Sequence, residues 1–351
     1  MLTDDPTLRQ HLALLAPGTP LREGLERVLK GRTGALLVLG HNRQVEQLST
    51  GGFLLDVPYT PQTLRELAKM DGAIILNAEA DRIVRAAVHL VPDASIETPE
   101  TGTRHRTADR VAKQAGVGAI SVSASMSTIS LFLDRQRHVV DQSSQILTRA
   151  NLALQTLVSY RDRLTQLTSR LSTLEIEDQV ALRDVALVAQ RLEMVRRLEH
   201  ELFGYVLELG TDGRLLDLQL RELNVGVDEL SALIEMDYDP IADSDGFTTL
   251  QQLSTDDLLD PALVARSIGF PATDHLETRV TPRGIRQLSQ IPRLPQSLAP
   301  RLLGHFGSLQ ALFAASATDL QDVEGVGDSR AKTIREGLTR LAESAFHEKL
   351  S

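Results

Sequence analysis

Over roughly the first 140 residues, short apolar runs of β type alternate with segments whose apolar positions recur every three or four residues. Strands are predicted at Ala35–Leu39, Ala73–Leu76, Ala119–Val122 and Thr128–Leu133. Helices are predicted at Pro20–Lys30, Pro61–Met70 and Arg104–Ala115. Pro20 and Pro61 suit a first helical turn, where a missing N–H costs nothing. The alternation predicts an α/β domain. From Gln142 to Glu208 the texture changes: Pro is absent and Gly204 is the only glycine. Leu157, Tyr160, Leu164, Leu167, Leu171 and Leu174 form one helical seam, and Leu182, Val185, Leu192, Val195, Leu198 and Leu202 form a second. The seams fit a spacer that holds two domains apart, or a plain helical core, and they suggest self-association. Tyr238–Ser254 reads as a linker, Pro271–Gly284 as irregular chain, and Ile291–Ser351 as a compact helical tail. No repeat of 20–50 residues is evident beyond a degenerate doubling within that tail.

Composition narrows the options. With 351 residues, 42% of them apolar, the chain can bury more than one core. It has no Cys, so neither disulfides nor thiolate metal sites are available. Met1–Arg9 lacks the apolar stretch of a secretory leader, and no run approaches the ~18 apolar residues that span a bilayer. A cytoplasmic protein without a membrane partner is expected. The net charge of −10 argues against a nucleic-acid coat but leaves room for a small local contact face. Aromatics are only 3% and Trp is absent, which disfavours base-stacking platforms.

Two segments carry candidate chemistry. In Lys69–Leu76, Asp71 and Gly72 stand where a helix gives way to a strand. Asp71 is placed to hold a divalent cation or accept a proton, and Gly72 permits close approach of a ligand or backbone. A plain Asp-Gly turn explains the same residues. In Thr101–Thr107, Thr103 is a candidate N-cap for a helix that buries Ala108, Val111, Ala112 and Ala115 and stops at Gly116. Arg104, His105 and Arg106 at a helix N-terminus suit a polyphosphate, although a solvated basic turn is the blander alternative. Together, an acid beside a glycine turn and a basic helix start make a minimal nucleotidyl-transfer kit. Walker and Rossmann glycine patterns are absent.

The tail segment Val323–Lys332 resembles a helix-hairpin-helix. The turn Gly325-Val326-Gly327 would offer backbone N–H groups to a DNA phosphate, with Arg330, Lys332 and Arg335 adjacent. Leu294–Leu309 resembles a degenerate partner hairpin, with Leu294-Pro295-Gln296 in place of glycines. Seven Lys/Arg against seven Asp/Glu in Ile291–Ser351 leave a packing or oligomerisation module as the alternative.

Asp71-Gly72-Ala73 and Arg104-His105-Arg106 resemble the two signatures of the diadenylate cyclase family. Flanking text at Ala16–Arg22, Glu66–Met70, Tyr205–Leu209 and Ile291–Pro295 is similar to its DNA-scanning branch over nearly the whole chain. That resemblance implies a mixed sheet flanked by helices in a cyclase domain over 1–141, an all-α spine over 142–290 and a helix-hairpin-helix domain over 291–351. It implies condensation of two ATP into cyclic di-AMP across a head-to-head pair of domains, in an octamer associated with the nucleoid, and binding of branched or junction DNA in the service of DNA integrity and repair. Asp71 would act at the 3′-hydroxyl with Mg²⁺ or Mn²⁺. Thr103, Arg104, His105, Arg106 and Thr107 would cradle the triphosphate, Gly72 and Leu90 would line the nucleotide pocket, and Ser123 would lie near the phosphates. The family usually has charged residues after that serine, whereas Ala124-Ser125-Met126 follow here. Two alternatives stand beside this reading. One is a non-enzymatic DNA-junction scaffold, and intact Asp71 and Arg104–Arg106 argue against it. The other is a hairpin-bearing nuclease or glycosylase, which would need an acid cluster or Lys beside the hairpin.

Overall fold

All five residues of the central strand Ala35–Leu39 (β1) are buried, because both faces of its sheet are covered. Ala35, Leu37 and Leu39 enter a cluster with Leu21, Leu25, Val28 and Leu64. Val38 packs with Val111 and Ala115, and Leu36 with Ala108 and Ala112. Each fully buried aliphatic side chain contributes about 1.5–3 kcal/mol, so this three-layer packing dominates the stability of the domain.

The computed structural model describes residues 6–238 and 246–348. Residues 1–5, 239–245 of the predicted linker and 349–351 of the tail lie outside the described residues. The chain divides into two compact units, Met1–Ala153 with His200–Leu220, and Leu154–Glu199 with Arg221–Ser351.

In the first unit the order is α1 (Pro6–Leu15), α2 (Pro20–Lys30), β1, α3 (Arg43–Leu48), β2 (Ser49–Thr50), β3 (Phe53–Pro58), α4 (Pro61–Leu67), β4 (Ala73–Leu76), β5 (Arg82–Leu90), α5 (Thr103–Ala115), β6 (Gly118–Ser123), β7 (Thr128–Leu133) and β8 (Gln136–Val140). The sheet order is β2-β5-β4-β1-β6-β7-β8, with β3 also paired to β5. Only β1 and β4 run parallel, so the sheet is mixed as expected. The predicted helix Pro61–Met70 stops at Leu67, and that at Arg104 starts one residue earlier. The strands β2, β3, β5 and β8 were not predicted. The β3 edge carries exposed Phe53 and Leu54 and shifts register between Leu54 and Val57, with Asp56 at φ +47°. Arg82 donates to both the Asp56 carboxylate (3.0 Å) and its carbonyl (2.7 Å).

Two long helices follow, α6 (Ser143–Ile176) and α7 (Leu182–Leu209), and the division between the units falls within both. After them come α8 (Arg214–Asn224), α9 (Val227–Tyr238), α10 (Gly246–Leu250), α11 (Pro261–Ser267), α12 (Ile285–Ser289), α13 (Ala299–Phe306), α14 (Leu309–Ala314), α15 (Ala317–Gln321) and α16 (Asp328–Glu348). The predicted linker therefore contains one helix, α10, and begins on the last residue of α9. Leu157, Leu164, Leu167 and Leu171 are buried, as are Leu182, Val185, Leu192, Val195 and Leu202. These seams are filled by the chain itself, so the self-association expected of them does not follow.

The second unit encloses an ionic node. Glu175 is 0% exposed and Arg286 only 2%. The Glu175 carboxylate accepts from Arg286 Nη2 (2.6 Å), Gln287 Nε2 (2.6 Å) and the Tyr238 hydroxyl (2.5 Å). Asp237 caps α12 by accepting from the N–H groups of Ile285 (2.6 Å) and Arg286 (2.9 Å). Gln310 Nε2 donates to the Glu175 carbonyl at 3.1 Å, so four helices meet at this carboxylate's residue. Separately, α12 to α16 surround their own apolar core of Leu288, Ile291, Leu302, Leu320, Val323, Ala331, Ile334 and Leu338.

Candidate active site and nucleic-acid interface

The topology gathers the predicted cyclase residues at one end of the sheet. Ala73 pairs with Val88, so Asp71 and Gly72 before β4 lie beside Leu90 at the end of β5. Ala35 pairs with Val122 and Ser123 with Thr128, which brings the start of β1, the end of β6 and the start of β7 to the same end. The short link from α5 into β6 sends that helix back along the sheet, so its N-terminus also lies there. Ala73, Leu90 and Ala108 share one apolar cluster, which ties the three segments together.

Asp71 is exposed, with Gly72 behind it. Gly72 has φ +106°, and an added Cβ would stand 2.6 Å from the Ala87 carbonyl carbon and 2.8 Å from Val88 N. The glycine is thus required by the backbone of β5 and, through it, sets where Asp71 projects. Gly72→Ala is expected to cost about 1–3 kcal/mol of stability through strained backbone. Urea unfolding beside wild type measures this, and an unchanged midpoint would contradict the close approach.

The start of α5 differs from expectation. The N-cap is Gly102 (φ +85°), with no side-chain cap, and Thr103 is the first helical residue rather than the cap. The first turn therefore keeps its N–H groups for an anion. Arg104 and Arg106 are exposed and Thr107 is half-buried. The Arg104 guanidinium lies over Gly34, just before β1. His105 turns inward, 6% exposed, edge-on to Phe132 at 6.0 Å. Its Nε2 has no hydrogen-bond partner. Burial first, then the nearby Arg137 charge, hold its pKa below the usual histidine range, while Glu100 pulls it up. Burial and Arg137 thus favour the neutral ring, and the exposed Arg104 and Arg106 are the cations that face outward at this helix start.

The loop before α5 is held by α5 itself. Arg110 donates to the carbonyls of Ile96 (2.9 Å) and Ala94 (2.9 Å), Lys113 donates to that of Glu97 (3.0 Å), and Gln114 Oε1 accepts from Asp93 N–H (2.8 Å). Arg137 pairs with Glu100 at 3.0 Å and anchors the last stretch before Gly102 to β8. These supports carry no recognisable spacing in the sequence. Ser123 Oγ accepts from Met126 N–H (3.3 Å) and lies 3.3 Å from Ser125 Oγ, so here it closes the β6–β7 turn.

In the tail, Gly325 has φ +92°, a conformation that favours glycine. Gly327 does not need it, and nothing lies within 4 Å of a Cβ added there. The open space there is what close approach of a phosphate to the turn would require. The Val326 side chain is buried, so only its backbone is available to DNA. Arg330 is exposed but donates to the Gly325 carbonyl at 2.8 Å, which stiffens the turn. Lys332 pairs with Asp328 at 2.9 Å. Arg335 donates to the Phe313 carbonyl at 2.6 Å, which ties α16 to the end of α14.

An α/β cyclase sheet with an exposed acid and an uncapped basic helix start, followed by helices and a tandem hairpin, defines a diadenylate cyclase joined to a helix-hairpin-helix module. Family models agree: the DisA bacterial checkpoint controller nucleotide-binding region matches residues 22–137, its linker region 140–277, and a SAM-like helix-hairpin-helix tandem 285–340. The DNA integrity scanning protein DisA of Frankia casuarinae is 55% identical, with 98% of each chain covered. That of Streptomyces griseus is 52% identical, covering 99% of this chain and 95% of its own. Among solved structures, DacA from Staphylococcus aureus aligns at 22% identity and TM-score 0.31, over 38% of this chain and 88% of its own. The chain belongs to the DisA family. Among the described residues, no helix is long and apolar enough to cross a membrane.

Proposed function

We propose that this chain condenses two ATP molecules into cyclic di-AMP, with release of two pyrophosphates, and that its tail binds branched DNA through phosphates. The carrying observation is that exposed Asp71 and the uncapped N-terminus of α5, with Arg104 and Arg106, lie at the same end of the sheet. The first-turn amides and the two guanidinium groups hold the triphosphate and stabilise charge that develops on the α-phosphoryl oxygens and the departing pyrophosphate. Asp71 sits where the ribose 3′-hydroxyl must lose its proton. The new bond joins that oxygen to the α-phosphorus of the other ATP, and the bond to the bridging oxygen of pyrophosphate breaks. One sheet end holds one ATP, so two domains face each other, and four such pairs make the eight-copy assembly.

No group of three or more metal-ligating side chains occurs among the described residues. A single exposed carboxylate fits Mg²⁺ or Mn²⁺ shared with phosphate oxygens and water rather than caged by protein. When bound there, such an ion would lower the pKa of the 3′-hydroxyl. Incubation with ATP and Mn²⁺ followed by mass detection of cyclic di-AMP tests the reading, and ATP left unchanged would overturn it.

For the tail, Gly327→Ala is expected to keep the fold and weaken junction binding at least about tenfold, by placing a methyl where backbone N–H groups approach a phosphate. Affinity should fall steeply with salt and depend little on sequence. Branched DNA should outbind linear duplex, because several tails on one assembly can engage separate arms. Titrations at two salt concentrations measure these effects. Unchanged affinity in the variant would make the tail a packing module.

A further inference from the structure

Gly34 carries no motif, has no ligand role in the reading above, and stands one residue before the central strand. An ideal Cβ built on it would lie 2.2 Å from Arg104 Nη1, 2.8 Å from Arg104 Cζ and 3.1 Å from the Val122 carbonyl oxygen. Real Cβ contacts do not come within 3.0 Å, so any side chain here must displace the guanidinium. Gly34 does not adopt a positive φ, so the backbone itself accepts an L-residue. The obstructing atoms at closest range belong to the free end of an exposed arginine, which moves without disturbing the core. The missing side chain is therefore not needed for the strand. It leaves room for the guanidinium.

We infer that Gly34 is a positioning residue: it forms the seat that holds the Arg104 guanidinium at the sheet end for the triphosphate. The inference rests on the proposed phosphate role of Arg104 and adds the element that aims it. Gly34 directly precedes β1, which is paired with β4 on one side and β6 on the other, so the seat is built on backbone held from both sides. Misplacement of a positioning group by about 1 Å can cost on the order of 100-fold in rate.

The test is a double-mutant cycle in the full chain with Gly34→Ala, Arg104→Ala and both, read as KM for ATP, kcat for cyclic di-AMP and the melting midpoint. G34A is expected to raise KM and lower kcat, together about 10- to 100-fold in kcat/KM, with its midpoint unchanged. In the R104A background it should add nothing, because the displaced group is gone. Wild-type kinetics in G34A while R104A is impaired, or effects that multiply with those of R104A, would overturn the seat. If G34A fails to fold, the double variant decides: folding restored by removing the guanidinium supports the seat, and continued unfolding assigns the clash to the Val122 carbonyl and overturns it. A crystal structure of G34A reads the seat without activity, and an unmoved guanidinium would overturn it. Full activity in R104A with a displaced guanidinium in G34A would count against the phosphate role of Arg104 while leaving the seat intact.

Discussion

Asp71→Asn is expected to abolish nearly all cyclic di-AMP formation while leaving ATP binding and the fold in place. The substitution keeps the size and shape of an exposed side chain, so nothing in the packing is disturbed. It removes the negative charge that can take the 3′-hydroxyl proton and attract a divalent cation. Loss of a general base costs on the order of 10²–10⁴ in rate. The product has two phosphodiester bonds, each made at its own Asp71, so mixed pairs of variant and wild-type domains should stall at a linear intermediate. Product analysis by mass, beside ATP binding by calorimetry, checks both points. Turnover near the wild-type rate would remove Asp71 from the chemistry.

The second large effect concerns stability rather than rate. Arg286→Met is expected to destabilise the second unit by about 3–5 kcal/mol, the usual cost of leaving one buried charge without its partner. Glu175 is fully buried and would retain only the neutral donors Gln287 and Tyr238. Adding Glu175→Gln should recover part of the loss, because the stranded charge disappears with it. Urea titration with hydrogen exchange on α12 assigns the change to this region. A loss below about 1 kcal/mol would mean that water reaches the pair.

These two sites differ in how far they can be read from the sequence. The strands β1, β4, β6 and β7 stand out because burial on both faces leaves uninterrupted apolar runs, as in Ala73-Ile74-Ile75-Leu76. Strand β5 does not, since Arg82, Arg85 and His89 interrupt it, and β3 and β8 are edge strands with mixed exposure. Asp71 and Arg104–Arg106 are readable as short motifs because their chemistry is local to a turn and a helix start. The inward turn of His105 is not, since it depends on Phe132 in a strand far along the chain. Gly34 is silent for the same reason: its meaning lies in a guanidinium 70 positions away (104 − 34). Glu175 and Arg286 are separated by 111 residues, and no periodicity links them. The Leu seams show the opposite failure. Their spacing is plain, but spacing alone does not say whether the covering surface comes from the same chain or another.

The irregular β3 edge bears on how the protein behaves when concentrated. Phe53 and Leu54 are sticky, and an open strand edge normally templates further strands. Here the register shift before Val57 interrupts the row of evenly spaced amides and carbonyls, and Arg82 already occupies the Asp56 carbonyl. A neighbouring strand finds a run too short to extend, which works against edge-to-edge growth when the protein is concentrated.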